Sequence, residues 1–151
     1  MMDSSSLLLV EDDPNDRLFI RRGLDKAGIG DRLRIARDGD EAVAYLEGRG
    51  AYGDRKENPI PALIILDLKL PKRSGLEVLA WLRGEARLKA IPVVILTSSQ
   101  EQRDIERARE LGVLSYNVKP AVLKELTDLV QSFGMLWIKL TKETTGFGGA
   151  A

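Results

Sequence analysis

The sequence predicts an α/β domain built as a doubly wound, five-stranded parallel sheet with helices on both faces. Three observations carry that prediction. Aliphatic runs without polar alternation recur at residues 7–10, 63–66 and 93–96, the pattern of strands buried on both faces. Amphipathic helical stretches alternate with these runs. Carboxylates, a hydroxyl or a lysine stand where the strands end, and in open parallel sheets that carboxyl edge is where ligands bind.

Leu7-Leu8-Leu9-Val10 reads as the first strand and ends in Glu11-Asp12-Asp13-Pro14. A helix over residues 14–27 follows, with Asp13 as N-cap, Pro14 in the first helical position, and Leu18, Phe19, Arg22 and Leu24 spaced along one face. Gly28-Ile29-Gly30 closes it. Leu33-Arg34-Ile35-Ala36 alternates and reads as a more exposed edge strand. A turn at Asp38-Gly39-Asp40 leads into a short helix over residues 41–46. Residues 48–61, with three glycines and two prolines, form a loop long for a compact domain. A tolerated surface insertion accounts for it better than a partner surface.

Leu63-Ile64-Ile65-Leu66 is the central strand. It stops at Asp67, and Pro71 prevents regular continuation. A third helix spans residues 75–83. Val93-Val94-Ile95-Leu96-Thr97 is the fourth strand, ending in the hydroxyl pair Thr97-Ser98. A charged helix over residues 100–111 has a thin apolar face and Gly112 in the C′ position. Tyr116-Asn117-Val118 is a short fifth strand before Lys119-Pro120. The last helix begins near Ala121 and extends through Phe133, Leu136, Trp137 and Leu140 despite Gly134. The Gly-rich stretch from Thr144 to Ala151 is expected to be disordered. The organisation expected is one domain over residues 1–134 and a C-terminal extension over 135–151, helical at first.

Composition narrows the chemistry. Lys plus Arg and Asp plus Glu are 23 each, so no net charge draws the chain to nucleic acid or membrane. With neither Cys nor His there is no thiol catalysis, imidazole base or zinc site of the usual kind. No apolar run is long enough to span a bilayer, and no basic region precedes an apolar core at the N-terminus. A soluble cytoplasmic protein is the expectation.

Right-handed crossovers gather the strand ends Glu11-Asp12, Asp67, Thr97 and Lys119 at one edge of the sheet. Three clustered carboxylates repel one another unless a cation joins them. An all-oxygen set favours a hard ion, and Mg²⁺ takes a few carboxylates together with water and phosphate oxygens. A lysine and a hydroxyl alongside add a charge and a donor for phosphate. The implied chemistry is phosphoryl transfer onto Asp67.

These motifs, Val10-Glu11-Asp12, Leu66-Asp67 with Pro71 and Gly75, Leu96-Thr97-Ser98, and Tyr116-Asn117-Val118-Lys119-Pro120, strongly resemble those of the receiver domain of bacterial response regulators. The resemblance covers residues 7–133. It implies a flavodoxin-like fold with strand order 2-1-3-4-5, the order of the chemotaxis receiver. It implies Asp67 as phosphoacceptor, and Asp12, Asp67 and the backbone carbonyl of Lys69 as Mg²⁺ ligands, with Glu11 acting largely through a bound water. It assigns Thr97 and Lys119 to the phosphoryl group, Tyr116 to an aromatic switch, and a cis bond to Pro120. The partners it implies are a sensor histidine kinase or phosphotransfer protein upstream and an unnamed protein downstream. The 48–61 loop and Trp137-Ile138-Lys139-Leu140 further resemble stand-alone regulators that partner bacterial phytochrome kinases.

Two other readings compete. A pseudo-receiver would be a phosphorylation-independent adaptor, but its mark would be loss of the acceptor, acid pair or lysine, and all are present. A haloacid-dehalogenase-type phosphatase needs a second Asp two residues after its nucleophile, where Lys69 stands. No enzymatic activity beyond the chain's own phosphorylation and dephosphorylation is expected. Phe133, Leu136, Trp137, Ile138 and Leu140 exceed what a five-helix receiver needs, and a homodimer through them is the expectation.

Overall fold

The structure, a computed structural model, describes residues 5–150, the last eight by their backbone alone. Five strands, β1 (Ser6–Val10), β2 (Leu33–Ala36), β3 (Pro61–Leu66), β4 (Val93–Thr97) and β5 (Ser115–Val118), form one sheet in the order β2-β1-β3-β4-β5. All neighbouring pairs are parallel. The helices are α1 (Pro14–Lys26), α2 (Gly39–Glu47), α3 (Gly75–Arg83), α4 (Gln102–Glu110) and α5 (Leu123–Ala150).

The period-two geometry of the strands divides the core. Leu8, Val10, Ile64, Leu66, Val93 and Ile95 pack with residues of α2, α3 and α4. Leu7, Leu9, Leu63, Ile65, Val94 and Leu96 pack with α1 and α5. This is why β1, β3 and β4 read as unbroken aliphatic runs, whereas edge strand β2 alternates.

Local chemistry sets the helix starts. Asp13 accepts from the backbone N–H groups of Asn15 and Asp16 and caps α1, as expected. Asp38 caps α2, and Ser74 with Glu77 forms a capping box on α3. The buried face of α1 differs from expectation: Ile20, Gly23 and Leu24 are inside, and Leu18 is 47% exposed. The reason is α5. A Cβ on Gly23 would lie 2.8 Å from the Thr127 carbonyl oxygen, and one on Gly134 would lie 2.6 Å from the Ala27 Cβ. These two glycines let α1 and α5 approach closely, so Gly134 is a packing residue rather than a flaw in the helix.

The close approach carries α5 onward. Phe133 and Trp137 are buried against the sheet, and Trp137 Nε1 donates to the carbonyl of Ser6 at 2.8 Å. The first part of the segment expected as a separate extension from residue 135 therefore packs on the domain's own core, through Trp137, as a continuation of α5. Its backbone stays helical to Ala150, across the stretch expected to be disordered; glycine in a helix costs only ~1 kcal/mol per residue. Ala151 lies outside the described residues.

The 48–61 loop is tied down. Arg55 donates to the carbonyls of Tyr45, Leu46 and Asn58 at 2.8, 2.7 and 3.1 Å, occupying the last-turn acceptors of α2. Tyr45 donates to the Pro59 carbonyl at 2.7 Å, and its ring stands 5.2 Å from that of Tyr52.

Candidate functional site

Backbone bonds between strands fix the sheet's carboxyl edge. Glu11 N–H donates to Ala36 at 3.0 Å, Asp67 N–H to Val10 at 3.1 Å, and Lys119 N–H to Thr97 at 2.8 Å. Each residue just beyond a strand is thereby held beside its neighbour.

Lys119 lies at the centre of the side chains. Its Nζ is 2.8 Å from Glu11 Oε1, 2.8 Å from Asp16 Oδ2 and 3.0 Å from Asp67 Oδ2. Asp67 Oδ1 accepts the Lys69 backbone N–H at 3.1 Å, and Glu11 Oε2 accepts that of Asp13 at 3.1 Å. Carboxylate oxygens of Glu11, Asp12 and Asp67 lie within 4.8 Å of one another. Glu11 and Asp67 are buried and Asp12 is exposed, so the cluster opens to solvent on one side. Arg17 braces its floor by donating to the carbonyls of Glu11 and Asp12 at 3.2 and 2.8 Å.

The electrostatics follow from one ammonium shared among several carboxylates. Burial pushes the Glu11 carboxyl up to about 7, with the Asp67 charge adding to it and the Lys119 hydrogen bond opposing it. Burial also works against the Lys119 ammonium, but hydrogen bonds to Asp16 and Glu11 and the charge of Asp67 outweigh it and hold Lys119 firmly protonated. Negative charge is in excess, and the buried Glu11 carboxyl is the one pushed upward. Such a set of oxygen donors fits a hard divalent cation, which would relieve the excess.

Thr97 is fully buried, and its Oγ1 accepts from the Ser99 backbone N–H at 3.4 Å. Tyr116 is half-buried, with its hydroxyl donating to the Ser99 carbonyl at 2.9 Å; burial raises its phenol above the ordinary value. Ser99 Oγ donates to Asp104 Oδ2 at 2.6 Å, tying β4 to α4.

The structure thus brings together Glu11, Asp12, Asp67 and Lys119, with Thr97 and Tyr116 following from the same edge. One expectation changes. The Lys119–Pro120 peptide is trans, since no cis bond occurs among the described residues; trans is the isomer favoured by ~0.5–1 kcal/mol. Of the hydroxyls after Thr97, Ser98 is exposed and Ser99 is the buried one. Asp16 belongs to the site and was missed. Its available signal was position: the first turn of a helix that starts at the acidic strand end. A cavity of about 620 Å³ lined by Leu46, Arg55, Ile60 and Leu88 touches none of these residues. The site is an open edge of the sheet.

Residues 7–131 match the response regulator receiver domain family. The chain is 41% identical over 133 residues to the response regulator Rcp1 of Synechocystis, covering 88% of each. Its fold matches the phosphorylated cyanobacterial phytochrome response regulator RcpA with a TM-score of 0.82 and 37% identity, covering 89% of this chain and 94% of that one. The Mn²⁺-bound form of Rcp1 gives 0.80, covering 88% of this chain and 94% of that one. The bacteriophytochrome response regulator AtBRR gives 0.69 at 42% identity, over 86% of this chain and 92% of that one.

Proposed function

Since the chain belongs to the response regulator receiver domain family, we propose that Asp67 takes a phosphoryl group from a sensor histidine kinase or phosphotransfer protein. A carboxylate oxygen of Asp67 bonds to phosphorus as the P–N bond to the donor imidazole breaks. The imidazole leaves with that electron pair and takes up a proton.

The observation that carries this reading is Lys119 Nζ bonded at once to Glu11 and Asp67, with Asp67 buried at the sheet edge. Lys119 neutralises charge on the incoming group, and the buried Thr97 hydroxyl supplies a donor to it. Glu11, Asp12, Asp67 and the Lys69 carbonyl would hold Mg²⁺; the Mn²⁺-bound form of the relative Rcp1 supports a divalent ion here. When bound, that ion supplies positive charge to the phosphoryl oxygens. The chain acts on no other substrate in this reading.

The phosphoryl group carries about −1.5 to −2 charge, a new acceptor for Thr97. Drawing Thr97 toward it pulls on Ser99, to which Tyr116 is bonded, and so biases the position of Tyr116. Resemblance to RcpA and AtBRR supports a phytochrome-type kinase as the donor; a cytoplasmic location is part of the same reading, and no helix among the described residues is long and apolar enough to cross a membrane. A homodimer stays part of the reading, now through the exposed Val122, Leu123 and Met135, because Phe133 and Trp137 are internal. Light scattering at tens of micromolar that finds only monomer, with and without beryllofluoride, would remove it.

The central test is phosphate-affinity electrophoresis after incubation with acetyl phosphate and Mg²⁺. Wild type should shift and Asp67→Asn should not. A shift that persists in Asp67→Asn would reassign the acceptor. In a variant in which Tyr116 is the only fluorescent side chain, solvent quenching unchanged by beryllofluoride would rule out the proposed switch.

A further inference from the structure

We propose that Asp16 is a positioning residue that competes with the phosphoryl group for Lys119, and thereby weakens and shortens the phosphorylated state. The inference rests on the phosphorylation of Asp67 and goes beyond it.

An ammonium has three N–H donors. Here three carboxylates take them: Glu11 at 2.8 Å, Asp16 at 2.8 Å and Asp67 at 3.0 Å. A phosphoryl oxygen on Asp67 can reach Nζ only by displacing one of these acceptors. Glu11 and Asp67 both belong to the group of acids that faces a metal, whereas Asp16 does not. Asp16 stands apart on the first turn of α1, where Asn15 and Asp16 N–H groups are held by the cap residue Asp13. It therefore keeps its claim on Lys119 when the other two turn to metal and phosphate.

Charge counting points the same way. The Glu11, Asp12 and Asp67 carboxylates are balanced by one divalent cation and Lys119. Asp16 adds a further negative charge, bonded to the same Nζ that the phosphoryl group needs. Two anions on one nitrogen repel each other, and the Asp16 side chain, 27% exposed, is only partly screened. Removing its charge leaves Nζ beside the acceptor, since Lys119 Nζ already lies 3.0 Å from Asp67 Oδ2. Relief of repulsion then outweighs any loss of alignment.

The test uses the full chain and beryllofluoride with Mg²⁺ as the phosphoryl probe, on wild type, Asp16→Asn, Asp16→Glu and Asp67→Asn. Asp16→Asn should bind beryllofluoride about three- to fivefold more tightly than wild type at low ionic strength, the range of a partly exposed charge pair. Its phosphate should last longer by a similar factor. The gain should shrink in high salt, and Asp16→Glu should return toward wild type. Neither salt dependence nor Glu rescue is expected of a merely structural role. Equal or weaker binding by Asp16→Asn, in a variant that melts like wild type, overturns the competition while leaving Asp67 phosphorylation intact. Failure of wild type to bind beryllofluoride, or binding by Asp67→Asn, overturns the phosphorylation reading and this inference with it.

Discussion

Gly75 opens α3 directly behind the proposed phosphoacceptor, and Gly75→Ala should cost more in phosphorylation than in stability. A Cβ there would lie 2.1 Å from the Asp67 carbonyl oxygen, 2.6 Å from the Leu68 Cα and 2.9 Å from the Asp67 carbonyl carbon. All three are backbone atoms, so no side chain can rotate away. Ordinary contact begins near 3.4 Å, which is 1.3 Å beyond the 2.1 Å contact, so the backbone after β3 must move by about that much. The Gly75 N–H also donates to the Leu68 carbonyl at 2.9 Å, coupling helix start to strand end. Overpacking of this kind costs ~1–3 kcal/mol. The alanine recovers up to ~1 kcal/mol through helix propensity and lower unfolded-state entropy. The net destabilisation of about 0–3 kcal/mol corresponds to a Tm loss of up to ~10 °C in a domain of this size. Displacing a reacting group by about 1 Å can cost ~100-fold in rate. Urea unfolding and the initial rate of acetyl phosphate-driven phosphorylation measure the two effects side by side. A variant as stable and as reactive as wild type would refute the claim that Gly75 sets the position of Asp67.

Two further outcomes follow from other contacts. Trp137→Phe should destabilise the domain by ~1–3 kcal/mol in urea unfolding, because the buried Ser6 carbonyl loses its donor; no change would mean that this end of α5 is not part of the core. In metal-free protein, stability should fall as pH rises from about 4.5 to about 7, since the folded state holds a proton on Glu11 that the unfolded state releases near 4.5. The loss should be complete above about 7, flatten in Glu11→Gln, and be reversed by Mg²⁺, all readable from thermal melts across pH.

Much of the fold was legible because the central strands are buried on both faces, so their sequence leaves no alternative to an unbroken aliphatic run. Glu11, Asp12, Asp67 and Thr97 were legible for a related reason: they stand where such a run ends, while Lys119 follows the short, partly exposed strand β5. What escaped notice depends on contacts between distant segments. The phase of α1 is set by Gly23 meeting Val130 on α5, which no local periodicity contains. Trp137 looked surplus until its partner, the Ser6 carbonyl, was found 131 residues away. Asp16 looked like an ordinary acidic residue in a first helical turn, and only the fold brings it to Lys119, 103 residues later.

The same packing decides which side of the site can move. On one side, α1 and α5 are locked together by glycine-mediated close approach and by Trp137 reaching across to β1. On the other, α4 buries only Ala108, and Ser99 links it to the site through Asp104 and to Tyr116 through its carbonyl. An element that buries one small side chain opens at far lower cost than one that buries a tryptophan and a phenylalanine. A pull on Thr97 should therefore be absorbed by Ser99, Tyr116 and α4 while the α1–α5 face stays fixed. On that fixed face Asp16 keeps its hold on Lys119, so the element that opposes the phosphoryl group is rigid and the element that responds to it is free to move.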